Sequence, residues 1–160
     1  MIEDRPTEET TLKVARDWLR SEAKTGARCP CCRQYVKVYR RKLNSSMSRA
    51  LLIMFKNRGV DWTHADHVVR AASTRMGHDW IGVHYWDLIE AHPYDAGYWR
   101  ITAPGINFAR NRLNVLSHAV VYNGKRLRLE GKLVSIVTTL GKHFNYDELM
   151  AERPLAREPS

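Results

Sequence analysis

Apolar residues along this chain recur in two rhythms, one with the period of a helix and one with the period of a strand. Leu12, Ala15, Leu19 and Ala23 fall at helical spacing behind Thr7, Glu8 and Glu9, which predict a helix start, and Gly26 predicts its end. Met47, Ala50, Leu51, Met54 and Phe55 follow the i, i+3, i+4, i+7, i+8 pattern of an amphipathic helix, opened by Asn44 or Ser45 and closed before Gly59. Thr63 with Asp66 approximates a capping box for a third helix carrying Ala65, Val68, Val69, Ala72 and Met76. After Gly77 a further helix is expected over 78–92, burying Ile81, Tyr85, Leu88 and Ile89.

Alternation takes over elsewhere. Gln34 to Tyr39 reads as a short strand, and Tyr98 to Thr102 as another that stops at Pro104-Gly105, a turn signal. Ile106 to Arg112 is expected to make a helical turn. Val115–Tyr122 and Lys125–Leu129 flank Asn123-Gly124, the strongest short hairpin signal. Ser135 opens a last helical segment with Ile136, Val137 and Leu140, and 152–160 reads as a disordered tail. The expected class is α+β. Its parts are an N-terminal helix over 1–26, a cysteine knuckle and basic strand over 27–42, a winged helix-turn-helix core over 43–110, a C-terminal β-hairpin and helix over 111–151, and the tail.

Charge sharpens this picture. The net charge is +9, yet all seventeen acids lie in residues 1–22, 61–95 and 130–160. Ten lysines and arginines in 23–60 and six in 96–129 stand without an acid among them. Such segregation is the footprint of a polyanion-binding face. Arg33, Lys37, Arg40, Arg41, Lys42, Arg49, Lys125, Arg126 and Arg128 are the candidate phosphate contacts, with His78 and Trp86 of the fourth helix as candidate base contacts. That helix holds no Lys or Arg, and Asp79, Asp87 and Glu90 oppose phosphates, so the flanking basic segments must supply the affinity. The first helix, acidic outside, suits packing or dimerisation.

Cys29-Pro30-Cys31-Cys32 holds every cysteine. Cys29 and Cys32 have the spacing at which one tight loop presents two thiolates to a tetrahedral zinc. With no second cysteine pair, His64 and His67 are the candidates to complete a structural zinc site; buried free thiols or a redox pair are the alternatives.

The order of helix 45–58, helix 64–76, helix 78–92 and Tyr98-Trp99-Arg100-Ile101-Thr102-Ala103-Pro104-Gly105 resembles the winged-helix domain of MarR-type regulators. That resemblance covers about residues 43–110 and implies a DNA-binding regulator. The expected wing loop, His92 to Gly97, lacks the basic residues such wings carry. Over most of the chain, the cysteine knuckle, Arg-Arg-Lys-Leu-Asn-Ser, Trp-Arg-Ile-Thr, Tyr-Asn-Gly and Phe-Asn-Tyr-Asp-Glu-Leu also resemble small bacteriophage and prophage proteins, which implies a phage setting.

A regulator of phage gene expression that binds duplex DNA is therefore the first expectation, and a module that binds a host protein such as polymerase or a defence factor is the second. His64-Ala65-Asp66-His67-Val68-Val69 invites comparison with HNH nucleases, but helical spacing runs through the segment where that site needs a hairpin, so a nuclease is the minor alternative. No Walker loop, dinucleotide fingerprint, nucleophile elbow or His-Glu-x-x-His pair is present, and an enzyme is not expected. No apolar run approaches the roughly 20 residues of a membrane span, and the acidic start lacks the form of a signal peptide. A cytosolic chain without membrane contact is expected.

Overall fold

In the computed structural model, which describes residues 5–72 and 76–151, the chain is a mixed α+β protein with small sheets. It divides into two compact units, residues 1–41 with 120–128, and 42–119 with 129–160. The expected tail lies outside the described residues.

In the first unit, helix α1 (Leu12–Glu22) starts later than the sequence suggests. Thr11 caps it by accepting the Val14 N–H, while Thr7 closes a separate turn with Thr10. The acids at 8 and 9 therefore precede the helix rather than line its first turn. Strands β1 (Ala27–Arg28) and β2 (Tyr35–Val36) form an antiparallel hairpin with Arg28 opposite Tyr35. The single strand expected over 34–39 is broken, because the Val38 N–H leaves the ladder to donate to the Ala23 carbonyl at 2.8 Å. Extended structure resumes as β3 (Tyr39–Lys42), in a sheet of order β3-β7-β8 with β7 (Val115–Tyr122) and β8 (Lys125–Val134). Asn123 and Gly124 both have positive φ, 50° and 72°, as a tight two-residue hairpin turn requires.

The second unit is organised around helix α2 (Ser45–Arg58), whose Asn44 cap accepts the Met47 N–H at 3.0 Å. Residues 47–52 are all buried, so over this stretch the helix is enclosed on every side, and only its ends keep partly exposed residues. Helices α3 (Ala65–Ala71), α4 (Ala103–Ala109), α5 (Ile136–Leu140) and α6 (Tyr146–Ala151) pack against it. His64, not Thr63, caps α3, its Nδ1 accepting the Asp66 N–H at 3.2 Å; Thr63 is buried in strand β4 (Thr63–His64). The expected third helix thus ends early, with 73–75 outside the described residues.

The helix expected over 78–92 is instead a 3-10 segment, His78–Trp86, followed by strand β5 (Ile89–Ala91). Its buried Trp80, Val83 and Trp86 recur every third residue, which is the 3-10 period, and Asp87 ends it in the left-handed region. Ile81 and Tyr85 are only half-buried. Strand β6 (Tyr98–Ile101) lies between β4 and β5, antiparallel to both, with Glu90 opposite Arg100. Pro104-Gly105 is not a turn but the start of α4: Thr102 caps the helix by accepting the Gly105 N–H, and its hydroxyl donates to the Asp87 carbonyl at 2.6 Å. Proline is favoured there because the first helical turn has no use for its missing N–H.

Candidate nucleic-acid interface

The strands of the first unit carry the cations that the sequence singled out. Between Ala23 and Arg41 and between Val120 and Arg128 the unit holds Lys24, Arg28, Arg33, Lys37, Arg40, Arg41, Lys125, Arg126 and Arg128, and no acid. All of these but the half-buried Arg41 are exposed, and Lys42, at the end of β3, is exposed too. In β3 the pleat puts Tyr39 and Arg41 on one face and Arg40 and Lys42 on the other; in β8 it separates Lys125 and Leu127 from Arg126 and Arg128. Arg33 stands on the turn of the β1–β2 hairpin, where its carbonyl accepts from the Arg28 guanidinium at 3.2 Å.

Two tyrosines among these cations were not singled out by the sequence reading. Tyr35 and Tyr39 are 55% and 54% exposed. Tyr35 lies across Gly26, at a φ of +104°, where a side chain would overlap its hydroxyl. The available signal was the interleaving of aromatic and basic residues from Arg33 to Lys42, since exposed aromatic faces beside cations are what unpaired bases stack on.

Three expected contacts are corrected or constrained by the second unit. Arg49 is only 4% exposed, and its guanidinium lies 4.8 Å above the Phe144 ring, so it is a core residue rather than a phosphate contact. Trp86 is also 4% exposed; its indole N–H donates to the Leu116 carbonyl at 2.6 Å, and it presents nothing to a base. His78 is exposed, but its Nε2 is 2.7 Å from an Asp66 carboxylate oxygen. That hydrogen bond, aided by the charges of His64, His78 and Arg70 against some desolvation, holds the Asp66 carboxyl below its usual range. The loop between β5 and β6 carries no Lys or Arg, and its Tyr94 is 91% exposed. Beside it Arg100 pairs with Glu90 and lies 4.3 Å above the Trp62 ring.

The candidate metal ligands are placed as follows. Cys29 and Cys32 occupy the tip of the β1–β2 hairpin, closed by the Cys29 N–H donating to the Gln34 carbonyl at 2.8 Å and the Arg33 N–H to the Cys29 carbonyl at 2.9 Å. The Cys29 sulfur accepts the backbone N–H groups of Cys32 and then Cys31, which lowers its pKa against a smaller effect of burial. Cys31 and Cys32 are exposed. His64 is engaged as the cap of α3, and the His67 Nε2 is 3.5 Å from the Arg58 guanidinium. Among the described residues no three His, Cys, Asp or Glu side chains are grouped to hold a metal; Cys29 and Cys32 belong to the first unit and His64 and His67 to the second.

Compared with protein-family models, with curated proteins and with solved structures, the chain matches none. Among the described residues, no helix is long and apolar enough to cross a membrane.

Proposed function

We propose that this protein binds nucleic acid through the acid-free strands of its first unit, with a winged-helix core in the second unit that does not itself read the groove. The observation that carries this reading is the clustering of nine cations and no acid within residues 23–41 and 120–128, with Tyr35 and Tyr39 exposed among them. Phosphate contacts by such cations supply sequence-tolerant affinity through counterion release. The winged-helix reading draws its support from the order α2, β4, α3, 3-10 segment, β5, β6 and from the strand order β4-β6-β5. In that arrangement the 3-10 segment stands where a recognition helix would, and its tryptophans face the core. Groove readout through it is therefore disfavoured. A regulatory role in a phage setting fits a small basic protein of this build. Structural zinc at the knuckle belongs to the same proposal.

The test is fluorescence anisotropy of the full chain against random duplex DNA over a range of salt. The triple variant Arg33→Ala, Lys37→Ala, Lys125→Ala is expected to bind every sequence more weakly and to reduce the log–log salt slope by about 2 to 3. Lys142→Ala, in the second unit, is expected to leave binding unchanged. Unaltered affinity of the triple variant, or no binding by folded protein at low salt, would overturn the reading.

The second reading, a protein-interaction module, is favoured by one feature, the cation-free β5–β6 loop with Tyr94 almost fully exposed. Association through that loop would persist at salt concentrations that abolish phosphate binding.

A further inference from the structure

Within the second unit, helices α4, α5 and α6 border an open cleft of about 370 Å³ whose walls include Asn111, Val137, Phe144, Asn145, Tyr146 and Asp147. Ligand sites run from roughly 300 to 1,000 Å³, so a small planar molecule fits. Asn111 follows the end of α4, Val137 stands on α5, and Phe144 to Asp147 lead into α6. The fold sets the hydrogen-bonding sense of these walls. The Asn145 Oδ1 accepts the Glu148 N–H at 3.1 Å, so the amide NH₂ is the part of that side chain left to donate. The Tyr146 hydroxyl donates to the Ala109 carbonyl at 2.7 Å, which ties its ring to α4. The exposed Asp147 carboxylate accepts, and can take two parallel N–H groups at once.

A carboxylate beside aromatic rings could hold an organic cation, but Phe144 argues for a flat ring instead. Its half-buried ring already carries the Arg49 guanidinium 4.8 Å from its centre, and that cation draws on the same negative quadrupole a second cation would need. A planar π-system gains from stacking there and loses nothing to Arg49. We infer that the cleft binds guanine, with the ring against Phe144, the N1–H and N2–H₂ groups donating together to the Asp147 carboxylate, and O6 accepting from the Asn145 amide. Guanine alone among the standard bases offers two adjacent donors with an acceptor next to them on one edge. Adenine and cytosine place a ring-nitrogen acceptor where the carboxylate stands, and thymine sets a single N–H between two carbonyls. Pairing in a duplex hides that edge, so the guanine is either free, as a nucleoside or nucleotide, or splayed out of a single strand.

A neutral nucleoside carries no phosphate, so its binding is independent of the basic strands of the first unit and of the nucleic-acid reading built on them. Equilibrium dialysis of the full chain is run with guanosine, inosine, adenosine, cytidine and xanthosine. Guanosine is expected to bind best, inosine more weakly for want of the N2 amine, and adenosine and cytidine at least tenfold more weakly. Asp147→Asn, an exposed change, is expected to weaken guanosine by about ten- to a hundredfold, as loss of a charge-assisted pair of hydrogen bonds requires, and to gain xanthosine, whose C2 carbonyl accepts from the new amide. That gain is a readout no general loss of structure can imitate. An oligothymidine strand with one central guanine separates the two sources: tighter binding than guanosine and than the all-thymine strand assigns the cleft to a splayed base, and affinity equal to that of guanosine assigns it to the free form. Guanosine bound no better than adenosine, no binding by folded protein at the solubility limit of guanosine, or an Asp147→Asn protein with unchanged base preference would each overturn the inference.

Discussion

Asp66 shows how one side chain links two elements. Its carboxylate accepts from the His78 Nε2 while its own backbone N–H is taken by His64, so α3, its cap and the start of the 3-10 segment meet at one acid. The carboxyl pKa is lowered in the folded protein, so this contact contributes stability above the unfolded value, about 3.9. That contribution disappears as pH falls through the lower folded value. Thermal melts of Asp66→Asn are expected to lose less stability than the parent over that acidic window, and identical pH profiles would show that the contact is not formed. Such pairing was not legible beforehand, because the partners are twelve residues apart and the helix boundary between them differs from the periodic expectation. Arg49 and Trp86 were misread for a related reason. A guanidinium or an indole names its chemistry, whereas its exposure depends on what covers it, and α2 and the 3-10 segment are covered on faces that helical periodicity assigns to solvent.

At the scale of elements, the legible ones are those that local chemistry decides. Helix α2 has an asparagine cap, a glycine stop and apolar repeats; the β7–β8 hairpin has Asn-Gly at its turn; both formed within the expected limits, with β8 extending further, to Val134. The β2–β3 break and the 3-10 segment depend on a hydrogen bond to Ala23 and on burial at every third residue, neither of which a short window separates from its alternatives. Pro104-Gly105 fits both a turn and a helix start, and contact decides between them. A Cβ at Gly105 would lie 2.0 Å from the Leu88 carbonyl oxygen, so the residue lets α4 begin against the backbone that leads into β5. Gly105→Ala is expected to destabilise the protein by about 1–3 kcal/mol through overpacking, seen as a lower urea midpoint with an unchanged m-value. An unchanged midpoint would mean that α4 shifts freely.

For the whole molecule, the mixed α+β class and the separation of charge were legible from sequence, and the distribution of roles between two units was not. Composition places the cations in segments; only the fold puts 23–41 beside 120–128 and leaves Arg49 in the core. Within the nucleic-acid proposal, the exposed Tyr39 discriminates between kinds of strand. A base can stack on it only if unpaired, so Tyr39→Ala is expected to weaken binding of single-stranded DNA by about 1–3 kcal/mol while duplex binding, governed by phosphates, changes little. Equal losses for both would assign Tyr39 to the scaffold.

The sheet β3-β7-β8 has a consequence for the order of events in synthesis. β3 ends at Lys42 and β7 begins at Val115, so the residues between them must leave the ribosome before the two strands can pair. A nascent or truncated chain stopping before Val115 would hold Arg33 to Lys42 without the strands that complete their surface. The protein would acquire its full basic face only after the residues between Lys42 and Val115 have been made.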